Sequence, residues 1–82
     1  MSDKITVYGA AWCGDTRRTR RLLDALAVPY VYIDIDDDPS AEEWITQANG
    51  GKRLTPTVDL GGGKLLFEPT DEEMVQALES RL

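Results

Sequence analysis

Two apolar strands with one amphipathic helix between them constrain the fold of this chain more than any other feature. Residues 4–8 and 30–35 alternate in side-chain character and carry β-branched and aromatic residues, as strands do. Over residues 13–27 the apolar positions recur at helical spacing instead. That helical face consists of Thr19, Leu22, Leu23 and Leu26. A strand–helix–strand unit of this kind predicts two parallel strands joined by a right-handed crossover.

The acidic run Asp36–Asp38 precedes a second predicted helix. Asp38 before Pro39 is a favourable N-cap with proline at the first helical position, and Ser40 with Glu43 offers an alternative capping box. Metal binding competes as an interpretation of three adjacent carboxylates, and capping is favoured. The predicted inward face of this helix, which is expected to bury its tryptophan, consists of Ala41, Trp44, Ile45 and Ala48.

A hairpin and a third helix complete the chain. Residues 57–60 and 64–67 are strand-like segments on either side of Gly61–Gly63, which predicts a turn. Thr70 and Glu73 stand at the spacing of a capping box. The helix that follows is predicted to direct Met74, Val75 and Leu78 inward. The resulting order is β-α-β-α-β-β-α.

Composition restricts the possible functions. The 82 residues suffice for a single domain spanning residues 1–82, and the net charge of −6 argues against binding to nucleic acid or an anionic membrane. One cysteine and no histidine provide neither a disulfide framework nor a familiar zinc site, so no metal ligands are assigned. An unpaired cysteine suits a reducing compartment. Because no leader-like segment or long apolar run is visible, a cytoplasmic location is expected.

Cys13 is the candidate nucleophile. It follows a small-residue turn at the point where the first helix begins, and there the helix dipole and the free amides of the first turn favour thiolate over thiol. The competing interpretation is a buried, inert cysteine. Arg17, one turn further along, could strengthen the thiolate or meet a carboxylate, whereas Asp15 would raise the thiol pKa.

Three motifs resemble the glutaredoxin family in its mycoredoxin branch. They are Trp12-Cys13-Gly14, the run from Asn49 to Val58, and the run from Pro69 to Glu73. The resemblance extends from Lys4 to the last helix, and the middle run is its most specific part. It implies an α/β, thioredoxin-like (glutaredoxin) fold with a four-stranded mixed sheet and three helices. It also implies that Pro56 is cis and that Thr55 offers its backbone to the substrate.

Thr16 stands where most members of this family have a second cysteine. Without that cysteine no intramolecular disulfide can form, so the expected chemistry is a mixed disulfide on Cys13 that an external thiol releases. The Thr16 hydroxyl could donate to the Cys13 sulfur or cap the helix. The expected function is monothiol exchange of disulfides between proteins and a small thiol, namely mycothiol, bacillithiol or glutathione. This thiol would be a co-substrate of a monomeric enzyme that has no cofactor.

The remaining site residues are expectations from the resemblance and from position. Active-site support is expected from Trp12, Gly14, Asp15, Thr16 and Arg17. Contacts with the thiol or substrate are expected from Tyr8, Lys52, Arg53, Thr55, Pro56, Thr70 and Asp71. Packing, solvation and helix capping are the competing explanations for Tyr8, Lys52, Arg53, Thr70 and Asp71.

Two other functions remain open at this stage. The fold could serve as a non-catalytic module that holds a peptide between Trp12 and Pro56. Two chains with two small thiols could instead carry a [2Fe–2S] cluster through Cys13. The chain lacks the Cys-Gly-Phe-Ser motif of cluster-carrying monothiol glutaredoxins, and this weakens the cluster assignment.

Overall fold

Seven elements follow one another in the computed structural model, which describes residues 4–80. They are β1 (Ile5–Gly9), α1 (Gly14–Ala25), β2 (Tyr30–Asp34), α2 (Pro39–Ala48), β3 (Thr57–Asp59), β4 (Leu65–Phe67) and α3 (Asp71–Glu79). This confirms the predicted order. The helix α1 ends two residues earlier than predicted, because Ala27 takes a left-handed φ of 57° and turns the chain before Pro29. No helix among these residues has the length and apolar character needed to cross a membrane.

The four strands form one mixed sheet in the order β2-β1-β3-β4. As predicted, β1 and β2 are parallel, with Val7 opposite Tyr32. The strands β3 and β4 form the predicted hairpin, and β3 lies antiparallel to β1, with Val7 opposite Val58. The glycine turn is closed by a hydrogen bond from the Leu60 amide to the Lys64 carbonyl (2.9 Å). The sheet therefore brings the end of β1 next to the start of β3.

Two hydrophobic clusters cover opposite faces of the sheet. The larger cluster joins β1 and β3 to α1 and α3 through Ile5, Val7, Leu23, Val58, Leu60, Met74 and Ala77. The smaller cluster packs α2 against Ile33 and Tyr8 through Ile35, Ala41 and Ile45. Because successive residues of a strand point to opposite faces, Val7 serves the first cluster and Tyr8 the second. Helices thus lie on both faces of the sheet, as in the expected fold class.

Four residues that were predicted to be buried are exposed. They are Leu26 (47% exposed), Trp44 (44%), Val75 (36%) and Ala48. Leu26 is the C-cap of α1, where the helix ends. Val75 lies one position beyond the inward stripe that Met74 and Ala77 form on α3. The sheet face covers α2 only at Ala41 and Ile45, so the prediction of Trp44 in the core is wrong.

The caps follow the local sequence signals. The Asp38 carboxylate accepts a hydrogen bond from the Ala41 amide (3.1 Å), and Pro39 occupies the first turn of α2. Asp38 therefore provides the cap, rather than the alternative box formed by Ser40. At the start of α3, Thr70 and Glu73 form the predicted reciprocal capping box, with bonds of 3.1 and 2.8 Å.

Candidate active site

Cys13 is the N-cap residue of α1. Its backbone is extended, its amide donates to the Ala10 carbonyl (3.0 Å), and its own carbonyl accepts from the Arg17 amide (3.1 Å). The backbone amides of Asp15 and Thr16, in the first turn of the helix, act as donors toward the Cys13 sulfur. The side chain is half-buried. This is the position that the sequence predicted for a nucleophile.

Thr55 faces Cys13 from the loop that precedes β3. Its hydroxyl donates to the Cys13 sulfur (Oγ1 to Sγ, 3.5 Å), and its carbonyl accepts from the thiol (Sγ to O, 3.7 Å). The bond between Thr55 and Pro56 is cis, as the family resemblance implied. The resemblance implied only a backbone role for Thr55, and the contact of its side chain with the sulfur was not predicted. A threonine hydroxyl before Pro56 was visible, but nothing local placed it near a residue 42 positions away.

Opposing effects act on the pKa of the Cys13 thiol. Burial is the largest single effect and raises the pKa. Hydrogen bonds act in the opposite direction and come from the hydroxyls of Thr55 and Thr16 and from the backbone amides of Thr16 and Asp15. Together they outweigh burial, so the pKa of Cys13 lies below its ordinary value. The direction agrees with the prediction, although hydroxyl donors contribute to it as well as the helix start.

Thr16 is fully buried beneath the active-site turn. Its hydroxyl accepts a hydrogen bond from the Ala10 amide (3.4 Å) and can still donate to the Cys13 sulfur. It does not cap α1, so the capping alternative is wrong. Thr16 also explains Gly9: a Cβ there would lie 2.4 Å from Thr16 Cγ2 and 2.6 Å from Oγ1. The glycine at the end of β1 therefore makes room for the residue that replaces the second cysteine.

Arg18 holds the acidic residue that follows the active-site glycine. Its guanidinium pairs with Asp15 (2.9 Å) and Asp71 (3.2 Å) and donates to the Pro69 carbonyl (3.1 Å). The carboxylate of Asp15 is thus paired with a cation and is not among the causes that raise the pKa of Cys13. Arg18 was not predicted as a site residue. The signal was its spacing of three residues from Asp15 on one helix.

Asp36 links Trp12, the residue before Cys13, to Arg53 in the loop before Thr55. One carboxylate oxygen accepts from the Trp12 indole Nε1 (2.7 Å), and the other accepts from the Arg53 guanidinium (2.7 Å). Arg53 Nε also pairs with Glu42 (2.7 Å), and its guanidinium carbon lies 5.8 Å from the centre of the Trp12 ring. Asp36 and Glu42 were not predicted as site residues, since their partners are distant in sequence. Trp12 remains 63% exposed.

The other expected site residues have contacts of their own. Arg17 donates to the Ala11 carbonyl (2.9 Å) rather than pairing with the thiol. The Tyr8 ring stacks on Trp44 with centroids 5.2 Å apart, and burial, followed by the charges of Asp59 and Asp38, raises its pKa. Lys52 is exposed in the loop before Thr55, and Thr70 caps α3.

Comparison with known proteins agrees with this geometry. A family model described as glutaredoxin matches residues 5–65, which include Cys13, Thr55 and Pro56. The chain belongs to the glutaredoxin family. A candidate glutaredoxin of Mycobacterium tuberculosis is 34% identical over 70 residues, which cover 85% of this chain and 83% of that protein. Mycoredoxin 1 of Corynebacterium glutamicum is 33% identical over 76 residues, covering 93% and 94% of the two chains.

Solved glutaredoxins share the fold. A glutaredoxin from Archaeoglobus fulgidus superposes with a TM-score of 0.79 at 21% identity, over 93% of this chain and 86% of the other. The holo form of glutaredoxin C1 from Populus tremula x tremuloides gives a TM-score of 0.65 at 19% identity, over 93% and 74%. Family membership makes the chain a thiol–disulfide oxidoreductase in the general sense, with Cys13 as its one thiol.

Proposed function

We propose that this chain is a monothiol oxidoreductase that exchanges mixed disulfides between proteins and a low-molecular-weight thiol, with Cys13 as the nucleophile. The observation that carries the proposal is the hydrogen-bonded Cys13 sulfur, half-buried at the start of α1 with a lowered pKa, in a chain that has no second cysteine. The thiol, which could be mycothiol, bacillithiol or glutathione, is a co-substrate. The activity needs no resident cofactor.

The reaction consists of two exchanges at one sulfur. In the first, the Cys13 thiolate attacks the small-thiol sulfur of a protein mixed disulfide. A new bond forms between Cys13 and the small thiol, the original S–S bond breaks, and the protein leaves as a thiolate that takes a proton from water. In the second exchange, another small-thiol thiolate attacks the small-thiol sulfur of this adduct. It releases Cys13 as a thiolate together with the disulfide of the two small thiols, so the two electrons come from those thiols.

The contacts around Cys13 support a division of roles. The backbone of Thr55, beside the cis Pro56, is available to pair with an extended substrate segment, while the amide after Gly14 and the hydroxyl of Thr16 hold the sulfur. The exposed ring of Trp12 and the loop that carries Lys52 and Arg53 flank the approach to the sulfur from one side. Thr70 and Asp71 begin α3, and Asp71 shares Arg18 with Asp15, so we assign them to the same thiol-binding region.

The single thiol also bears on the oligomeric state and the cellular location that we propose. One chain supplies both the thiol and donors to its sulfur, and we propose that it acts on protein mixed disulfides as a monomer. A reducing compartment would keep the lone thiol available for exchange, and the cytoplasm is therefore the proposed location.

Adduct formation tests the proposal directly. The reduced protein is incubated separately with the disulfides of mycothiol, bacillithiol and glutathione, and the intact mass is recorded with Cys13→Ser as the control. We expect a single adduct with at least one of them, absent from the control and removed by an excess of the matching reduced thiol. A chain that forms no adduct with any of the three would contradict the proposal. A peptide-binding module is the function that such a result would favour.

A further inference from the structure

Arg53, one of the two basic residues proposed to flank the approach to Cys13, already has two acidic partners. Arg53 pairs with Asp36 through Nη2 and with Glu42 through Nε, each at 2.7 Å, so the two donors of one guanidinium edge go to two different carboxylates. Arginine recognises carboxylates through the same donors, in a fork that the two acidic residues here divide between them. An incoming carboxylate could use this edge of the guanidinium only by displacing one of them.

The charge around Arg53 also disfavours an anion. Asp36 and Glu42 outnumber the one guanidinium between them, and Asp37 and Asp38 follow directly in sequence, while Lys52 adds one positive charge. Exposed ion pairs are individually weak, but this network shares one cation between two anions and also fixes the Trp12 indole through Asp36. The balance in this part of the cleft is negative even though it contains Arg53.

The net charge around Arg53 can affect the reaction because this residue is linked to Cys13 through its chain neighbour Thr55 and through its partner Asp36. Arg53 lies two residues before Thr55, whose hydroxyl and carbonyl contact the Cys13 sulfur. Its partner Asp36 holds Trp12, the residue before Cys13. A group attached to the attacking or attacked sulfur therefore reaches the cleft next to this network.

We propose that Asp36 and Glu42 are specificity-determining residues that occupy Arg53, offset its charge and make the site favour thiols that carry no carboxylate at this position. The inference rests on the proposed function and names the class of thiol that function would use. Its consequence is that removing the two acidic charges, rather than adding a basic residue, makes the cleft accept anionic thiols.

Two alkylating probes test this without requiring turnover. Iodoacetamide and iodoacetate react with the same thiolate and differ by one negative charge, and Cys13 is the only thiol in the chain. The ratio of their rate constants, divided by the same ratio for a free cysteine peptide, measures charge discrimination at Cys13. Changes in the pKa of Cys13 cancel in this ratio. Low ionic strength keeps the Debye length above about 10 Å.

Four substitutions, combined in three variants, separate the contributions. Asp36→Asn retains an oxygen that can accept from the Trp12 indole, and Glu42→Gln has the same shape as the native residue. The double variant should favour iodoacetate about 5- to 10-fold more than the native chain does, because it frees the guanidinium. Adding Arg53→Gln should reduce that gain to less than about 2-fold, because the variant then differs from the native chain by one charge only. Asp37→Asn deletes one neighbouring charge without releasing Arg53 and should change the ratio less than about 2-fold.

The outcomes decide the proposal. A native chain that discriminates against iodoacetate, a double variant that reverses the preference, and loss of the reversal with Arg53→Gln would support it. It is overturned if the native chain favours iodoacetate, if the double variant behaves like Asp37→Asn, or if the gain survives removal of Arg53.

A second measurement tests whether the charge preference seen in alkylation also holds for disulfide exchange. Peptide mixed disulfides of 3-mercaptopropionamide and 3-mercaptopropionate should show the same order of kcat/KM in the native chain, with the double variant reversing it. If neither peptide were turned over, the proposed function would fail, whereas the alkylation ratio would still decide the role of Asp36 and Glu42.

Discussion

The contact between Thr55 and the Cys13 sulfur gives a prediction that can be worked out in magnitude. Thr55→Val keeps the shape of the side chain and removes only the hydroxyl that donates to Sγ at 3.5 Å. A hydrogen bond to a charged group contributes about 1.5–3 kcal/mol. Because sulfur is a weak acceptor and this bond is long, about 1 kcal/mol is a reasonable value here. Since 1.36 kcal/mol corresponds to about one pKa unit, the pKa of Cys13 should rise by about 0.5–1 unit.

The shift has opposite effects on the two sides of the titration. Below the midpoint, less thiolate is present in the variant. Above it, both proteins are fully ionised, and the more basic thiolate of the variant is the better nucleophile, with a Brønsted coefficient of about 0.4–0.5. The variant should therefore react about 2- to 4-fold more slowly at low pH and about 2- to 3-fold faster at high pH. The two pH–rate profiles should cross.

Reaction with the uncharged disulfide 4,4′-dipyridyl disulfide, followed by absorbance of the released thiopyridone, measures these profiles. Thr55→Ser retains the hydroxyl and should keep the native midpoint, and thermal unfolding of all three proteins confirms that they are folded. Superimposable profiles for the native chain and Thr55→Val would refute the reasoning. A midpoint that moved down would refute it as well, since the hydroxyl would then not stabilise the thiolate.

Three further predictions follow from neighbouring contacts. Arg18→Gln leaves Asp15 without its 2.9 Å partner near Cys13, so the pKa of the thiol should rise and its reaction at neutral pH should slow about 2- to 3-fold. Adding Asp15→Asn should restore the rate, and an unchanged rate in Arg18→Gln alone would contradict this prediction. Gly9→Ala places a methyl group 2.4 Å from Thr16 Cγ2 and should lower the free energy of unfolding, measured by urea denaturation, by about 1–3 kcal/mol. The loss should be smaller in a Thr16→Ala background, and purely additive losses would argue against the clash. Thr16→Cys places a second thiol where a hydroxyl donates to the Cys13 sulfur, so oxidation should form a disulfide between them, seen as the loss of two hydrogens in the intact mass, and no stable adduct with a small thiol should remain. Persistence of that adduct would show that the two sulfurs do not meet.

The sequence alone determined the order of the elements and where most of them begin. These signals are local: the alternation in β1 and β2, the cap that Asp38 gives α2, and the capping box of Thr70 and Glu73 each depend on residues a few positions apart. The position of Cys13 at a helix start is of the same kind, because a small-residue turn and the helical periodicity after it lie within one short stretch.

Burial was less well predicted where an element is longer than the surface that covers it. Trp44 lies at the correct helical spacing for the core, yet the sheet covers α2 only over Ala41 and Ile45. Its ring packs on Tyr8 at the surface instead. Periodicity gives the direction of a side chain, whereas the extent of the opposing surface decides whether that side chain is covered.

The tertiary structure alone decided how Cys13 is tuned and what surrounds it. The Thr55 hydroxyl reaches the sulfur across 42 residues, and Asp36 reaches Trp12 across 24 and Arg53 across 17. Such contacts form because the sheet sets the end of β1 beside the start of β3, and no local pattern records that register. The sequence by itself determined that this chain has one thiol at the start of a helix, and the fold determined which hydroxyls and charges that thiol meets.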